Sequence, residues 1–165
     1  MSNRIDDLEP VTREKCLDFQ EAMAARGRPV RITHTLRTDD EQNYQFAKGR
    51  TIRSDVPCTH ASGPRPVGTC AQHPLGAIVT NARAGESAHN QIVDGKACAF
   101  DFCFDGKTTR QCYPPSSDPG WALAGEVGEA LGLSWGGPRG AGDTFTFDRP
   151  HFNRIGWKKL RARAA

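Results

Sequence analysis

The stretch Ala97-Cys98-Ala99-Phe100-Asp101-Phe102-Cys103-Phe104 alternates with a period of two. As a strand it projects Phe100, Phe102 and Phe104 to one side and Asp101 to the other. Three aromatic rings on one face call for a core to pack against. Asp101, alone among aromatics, has a different need. Burying an unpaired carboxylate is costly, so it requires a partner, and a divalent cation supplies one wherever a histidine lies near.

Working outward, Thr12 is expected to cap a first helix over Arg13 to Ala25, with Cys16, Phe19, Ala22 and Met23 at helical spacing. Gly27 and Pro29 end it. Val30 to Leu36 alternates as a strand. Thr38 or Asp39 opens a second helix that runs to about Lys48 and closes at Gly49. Ser54 to Pro74, with its prolines, glycines and cysteines, reads as an irregular excursion, and Gly76 to Thr80 as a short apolar strand. Beyond the central strand, Pro114 to Gly120 is a turn region and Trp121 to Leu131 a helix stopped by Gly132. Phe145 to Phe147 reads as a strand, and the segment after His151 as a short terminal helix. Helices and strands mix without a regular βαβ rhythm, which places the chain in the α+β class.

A chain of 165 residues suits one domain over 1–165 with a core that needs no staples. Its 17 glycines and 11 prolines against two methionines point to many turns rather than a helical bundle. The net charge of +3 is too small to argue for nucleic acid, yet it suits an anionic polymer. No apolar run approaches the roughly 18 residues that span a bilayer. Met1 to Pro10 is polar and acidic, unlike a secretory signal, so a soluble protein made in the cytoplasm, without stable membrane insertion, is expected. Cysteines there would be reduced. Cys16 reads as a small buried residue of the first helix. Spacing leaves the pairing of Cys58, Cys70, Cys98, Cys103 and Cys112 open, although Cys98 and Cys103 point to opposite faces of their strand. Cys58, His60, Cys70 and His73 admit a structural zinc site, a Cys58–Cys70 disulfide, or unpaired surface residues.

Two of the five histidines lie in polar segments beside strong strands. Ser87-Ala88-His89-Asn90 opens the loop that leads into the central strand. Asp148-Arg149-Pro150-His151 sets a carboxylate and an imidazole three apart around a proline, so a turn can aim both into one pocket. Zinc accepts neutral imidazole and carboxylate, and a catalytic site keeps three protein ligands with one position open. His89, Asp101 and His151 supply such a set, leaving Asp148 beside the open position to take a proton. The alternative is that these are solvated loop residues. Glu126 and Glu129 read as solvated, and the tryptophans as core. Lys158, Lys159, Arg161 and Arg163 form a basic tail that is either solvated or drawn to an anionic surface.

Ser87-x-His89, Gly95-Lys96-Ala97, Ala99-x-Asp101 and Asp148-x-x-His151, in that order, resemble the zinc D-alanyl-D-alanine carboxypeptidase-like peptidases, especially the phage L-alanyl-D-glutamate endopeptidases used as endolysins. Leu36-Arg37-Thr38 with Glu41-Gln42, the approach Val79 to Asn90, and Trp121, Leu131-Gly132-Leu133 and Trp135-Gly136-Gly137 extend the likeness over about residues 30 to 152. The resemblance implies a hedgehog/DD-peptidase-like fold with a small antiparallel sheet and flanking helices. It implies one catalytic Zn2+ on His89, Asp101 and His151, with Asp148 as general base. Arg37 would be catalytic, and Gln42 and Ser87 would line the substrate site. The implied substrate is peptidoglycan, cut by a monomer without a separate wall-binding domain, on the wall side after release at lysis. A D-alanyl-D-alanine carboxypeptidase and a non-catalytic metal-binding module on the same fold are the alternatives. In one respect the chain departs from the family: Asp101 stands farther from His89 than the pattern has it, with extra residues in Gln91 to Lys96. Asp94 is thereby a competing ligand, set aside because Asp94-Gly95 reads as a turn.

Overall fold

A computed structural model describes residues 1–48, 58–60, 63–65, 79–138 and 148–164. In chain order these form α1 (Pro10–Ala25), β1 (Val30–His34), α2 (Asp39–Ala47), β2 (Cys58–His60), β3 (Gly63–Arg65), β4 (Ala99–Phe104), the helical turn α3 (Thr109–Cys112), α4 (Pro119–Ala130), β5 (Leu133–Trp135), β6 (His151–Arg154) and α5 (Trp157–Ala164). β2 and β3 form a small hairpin of their own. The main sheet has the order β1-β4-β6-β5, with every neighbouring pair antiparallel. Among the described residues no helix is long and apolar enough to cross a membrane.

β4 is central and buried along its whole length. Its Phe100, Phe102 and Phe104 join Val30 and Ile32 of β1, Leu133 and Trp135 of β5 and Phe152 of β6 on the inner face. Against that face pack Cys16, Phe19 and Met23 of α1 and Trp121, Ala124 and Val127 of α4. Phe19 sits at the middle, its ring 5.1 Å from Phe102 and 4.9 Å from Phe152, both edge-on as aromatic quadrupoles prefer. The opposite face carries Ala99, Asp101 and Cys103. Ala99 is covered by Ala88, Ile92 and the partly buried Trp157 and Leu160, which leaves Asp101 at the middle of the outer face.

Several boundaries differ from expectation. α1 starts at Pro10 rather than Arg13, because Glu9 is the cap: its carboxylate accepts from Val11 N and Thr12 N at 3.1 and 2.7 Å. Thr12 instead donates its hydroxyl to Glu9, and Arg154 Nη1 completes the Glu9 shell at 2.9 Å. β1 stops at His34, after a register shift between Ile32 and His34, because Thr35 N and Arg37 N donate to Ser2 O and His89 O and not to β4. α2 begins as expected, with a capping box between Thr38 and Glu41. α3 and β5 were not anticipated; α3 is too short for a periodic signal, although Thr108 and Gln111 form a capping box there. α4 starts at Pro119, two residues before Trp121, with Asp118 as cap. Val79 and Thr80 lie outside any strand. The expected strand at Phe145 to Phe147 and residues 76–78 fall outside the described residues, as do Cys70, His73 and most of Ser54 to Pro74. A strand is found at His151–Arg154, followed by the terminal helix as expected. Glu126 and Glu129 are exposed.

Candidate metal centre

Strand pairing brings two of the donor residues together. Asp101 of β4 is the register partner of His151 at the head of β6. His89 arrives from the turn at residues 87–90, where Ser87 Oγ accepts from His89 N at 3.3 Å and Asn90 N donates to Ser87 O at 3.0 Å. Cys98 N and Arg37 N donate to the carbonyls of Ala88 and His89, both at 2.8 Å, and so tie this turn to the core strand and to the segment after β1. The result is a triangle of donor atoms. His89 Nε2 lies 3.2 Å from Asp101 Oδ1 and 3.1 Å from His151 Nδ1, and His151 Nδ1 lies 3.0 Å from Asp101 Oδ1.

The remaining ring atoms fix which nitrogens face inward. His89 Nδ1 is 2.6 Å from the Thr35 carbonyl, which can only accept, so Nδ1 carries the proton and Nε2 the lone pair. His151 Nε2 is 3.3 Å from Asn153 Oδ1, which leaves Nδ1 as its inward lone pair. Two imidazole lone pairs and a carboxylate oxygen thus face one another at close range. Such a set repels itself unless something positive sits among them. Two ligands each about 2.0 Å from a tetrahedral zinc are about 3.3 Å apart, close to the sides of this triangle. The residues fit a metal ion of that kind, and these three form a group able to hold one.

The three groups also shift one another electrostatically. Burial pushes the Asp101 carboxyl up, but the surrounding His89, His151 and His34 imidazoles outweigh it and hold Asp101 well below the usual carboxylate range, so it is ionised as a metal ligand must be. Burial pushes His89 down, only partly opposed by Asp101. His151 is raised, since its hydrogen bond to Asp101 and that residue's charge overcome burial.

Asp148 stands at the exposed rim. Loss of surrounding water, then the nearby Asp101 charge, lifts its carboxyl above the ordinary value, while His151, His89 and Arg37 pull it back. Its backbone is held closely: Asp148 N donates to Gly136 O at 2.8 Å, His151 N to Asp148 O at 2.9 Å, and Gly136 N to His151 O at 2.9 Å. A Cβ at Gly136 would lie 2.5 Å from Asp148 O, so only glycine lets the strands meet here. Trp135 Nε1 donates to Arg149 O at 2.8 Å and pins the same turn.

No family model matches the chain. Over 159 residues it is 30% identical to the peptidoglycan L-alanyl-D-glutamate endopeptidase CwlK of Bacillus subtilis (strain 168), a match covering 90% of this chain and 74% of that protein. The chain belongs to the D-alanyl-D-alanine carboxypeptidase-like peptidase family. Among solved structures, that of the LdcB LD-carboxypeptidase matches with a TM-score of 0.55 at 12% identity, over 98% of this chain and 66% of that one. At that identity the likeness is one of fold, and it agrees with the α+β, DD-peptidase-like architecture. The chain spans just under two thirds of the LdcB chain's length.

Within this family fold the other expected residues take specific places. Arg37 Nη2 donates to Asp101 Oδ2 at 3.2 Å, so the guanidinium braces the Asp101 carboxylate. Its Nε is buried without a hydrogen-bond partner. Gln42 is fully buried; its Nε2 donates to Ala82 O at 2.8 Å and its Oε1 faces Arg37 Nη1 at 3.5 Å. Gln42 therefore reaches the centre only through Arg37. Ser87 is half-buried beside His89. Asp94 is absent from the donor group. It has a φ of 47° and Gly95 one of 73°, and Val93 and Lys96 pair across them, so the extra residues form a tight two-residue turn of the kind Asp-Gly favours.

Three contributors escaped the sequence reading. His34 Nδ1 lies 3.5 Å from Asp101 Oδ2, and the Thr35 carbonyl and Asn153 orient the two imidazoles. A backbone carbonyl leaves no trace in sequence. Asn153 had a usable signal, since it lies two residues after His151 on the same face of a strand.

Proposed function

We propose that the protein is a zinc metallopeptidase that hydrolyses the stem peptide of peptidoglycan at the L-alanyl-D-glutamate bond, as a phage endolysin. The observation that carries this reading is the triangle of inward lone pairs on His89, Asp101 and His151, with both outer ring nitrogens already engaged. The bond is the one that the name of CwlK states for that protein. The endolysin role is supported by the motif resemblance.

Zinc held there would act as a Lewis acid on the scissile carbonyl and favour ionisation of the attacking water. The chain's own residues do the rest. Asp148, at the rim with a raised carboxyl, accepts the proton of the attacking water and returns it to the leaving amine. Arg37 holds Asp101 Oδ2 and would add positive charge where negative charge develops. Gln42 holds Arg37, and Ser87 offers a hydroxyl at the edge of the cleft. The protein is read as a monomer made in the cytoplasm and acting on the wall after release.

The test combines zinc analysis of purified protein with mass spectrometry of digested wall peptides. New N-terminal D-glutamate and C-terminal L-alanine, at one zinc per chain, is the expected result. Release of free D-alanine would instead make it a carboxypeptidase. Zinc uptake without any new peptide ends would make it a binding module.

A further inference from the structure

Cys103 lies on the same outward face of β4 as Asp101, two residues along. It is 1% exposed, and Cys112, the last residue of α3, is 4% exposed. Both are free thiols. Arg31 is the register partner of Cys103 on β1, and its guanidinium serves both sulfurs: Nε donates to Cys103 Sγ at 3.1 Å and Nη2 to Cys112 Sγ at 3.0 Å. A guanidinium edge presents parallel N–H bonds, so two acceptors served by it lie side by side. The two thiols are also within hydrogen-bond reach of each other.

A permanent positive charge between two sulfurs opposes a metal cation there. Burial pushes the Cys103 thiol up, and the hydrogen bond and charge of Arg31 pull it part of the way back toward the reactive thiolate. Burial also pushes Cys16 up to about 12 and Cys98 up to about 11. Mechanics also favour the pair. Cys103 is fixed in the central strand, whereas Cys112 rides on a four-residue helical turn that runs into Tyr113, 42% exposed. A short surface element opens locally at little cost, and so admits a reagent that the packed strand excludes.

We propose that Cys103 and Cys112 form a reversible dithiol–disulfide pair, open in a glutathione-buffered compartment and closed in an oxidising one. The oxidant is an external disulfide, small-molecule or protein. The Cys112 thiolate attacks one of its sulfurs, the external S–S bond breaks, and one thiolate leaves. The Cys103 thiolate then attacks the Cys112 sulfur of the mixed disulfide and expels the second thiol. Two electrons and two protons pass from the pair to the external disulfide, which ends as two thiols. The new bond clips α3 onto β4 beside the metal centre.

The test incubates the intact protein in glutathione and glutathione disulfide at graded ratios, alkylates the remaining thiols, and digests with trypsin without reduction. Cleavage after Lys96, Lys107 and Arg110 puts Cys103 and Cys112 on separate fragments, so closure joins fragment 97–107 to the one that begins at Gln111. Sequencing the first fragment by tandem mass spectrometry separates Cys103 from Cys98. The joined pair is expected to grow with the disulfide fraction, to disappear with dithiothreitol, and to be absent from Cys103→Ser and Cys112→Ser. The melting temperature should rise by about 5 °C or more on oxidation of the wild type but not of either variant. Full alkylation of both thiols at every ratio would overturn the proposal. So would a lasting glutathione adduct on Cys112, or a bond from either residue to Cys58 or Cys70. The fragment map uses wild-type protein, so it stands even if a serine variant fails to fold.

Discussion

His151 turns Nδ1 into the centre because Asn153 Oδ1 lies at 3.3 Å from its Nε2. Remove that acceptor and the ring is free to rotate and to change tautomer. Asn153→Ala should therefore weaken zinc binding about 10- to 100-fold, the range found when a metal-orienting partner is lost. Competition against a chromophoric chelator reads this directly, and unchanged affinity would deny Asn153 its orienting role. Asp148 makes a contrasting case, since it lies outside the donor triangle. Asp148→Asn should leave zinc stoichiometry intact and reduce turnover of wall peptides about 10²- to 10⁴-fold, as for loss of a general base. Near-normal turnover with zinc bound would assign the proton transfer to another group. The grouping of His89, Asp101 and His151 was legible because an acidic residue amid phenylalanines marks itself, and a turn before β6 aims a histidine back at it. His34 was not legible in the same way. Strict alternation sets it with Val30 and Ile32 on the core face, and only the break in register after Ile32 turns it toward Asp101.

α4 lies against the sheet through small residues. Gly125 and Gly128 are buried one turn apart on the face that meets β5 and β6. A Cβ on Gly128 would fall 2.2 Å from Phe152 Cε1, and one on Gly125 would fall 2.3 Å from Trp135 Cε3. Helix propensity alone favours alanine over glycine by about 1 kcal/mol. Overpacking a core that cannot yield costs about 1–3 kcal/mol, and Phe152 is fully buried among other rings. We expect the clash to win: Gly128→Ala should lose about 1–2 kcal/mol in urea unfolding. Because Phe152 follows His151 directly, zinc affinity should fall with it. Equal or greater stability would mean that helix and sheet can separate at little cost. At this scale the longer elements were readable: α1 and α4 bury residues at helical spacing, α2 is marked by its capping box, and β4 by phenylalanine at every second position. β5 was not. Leu133-Ser134-Trp135 is too short to show alternation, and it becomes a strand only because β6 offers an edge beside it. α1 shows a subtler limit: Glu9 outcompetes Thr12 as cap because Arg154, remote in sequence, holds its carboxylate in place.

Across the whole molecule, the candidate metal centre joins parts of the chain that no single element connects. His89 comes from a turn, Asp101 from the central strand and His151 from its neighbour β6, while the aromatic core holds the other side of the same sheet. Unfolding separates the three donors, so a bound ion stabilises the folded state alone. At free zinc about 100 times its dissociation constant, that linkage amounts to about 2.7 kcal/mol. For a chain of this length it corresponds to a melting temperature higher by about 5–10 °C. Chelation should lower the melting temperature by that amount, and readded zinc should restore it. His89→Ala should abolish the zinc-dependent part of the shift while the protein still melts cooperatively, because the core cluster around Phe19, Phe100, Phe102 and Phe152 does not include that side chain. A melting temperature indifferent to chelator in the wild type would mean that the triangle holds no ion at equilibrium, and with it the assigned peptidase chemistry would fall.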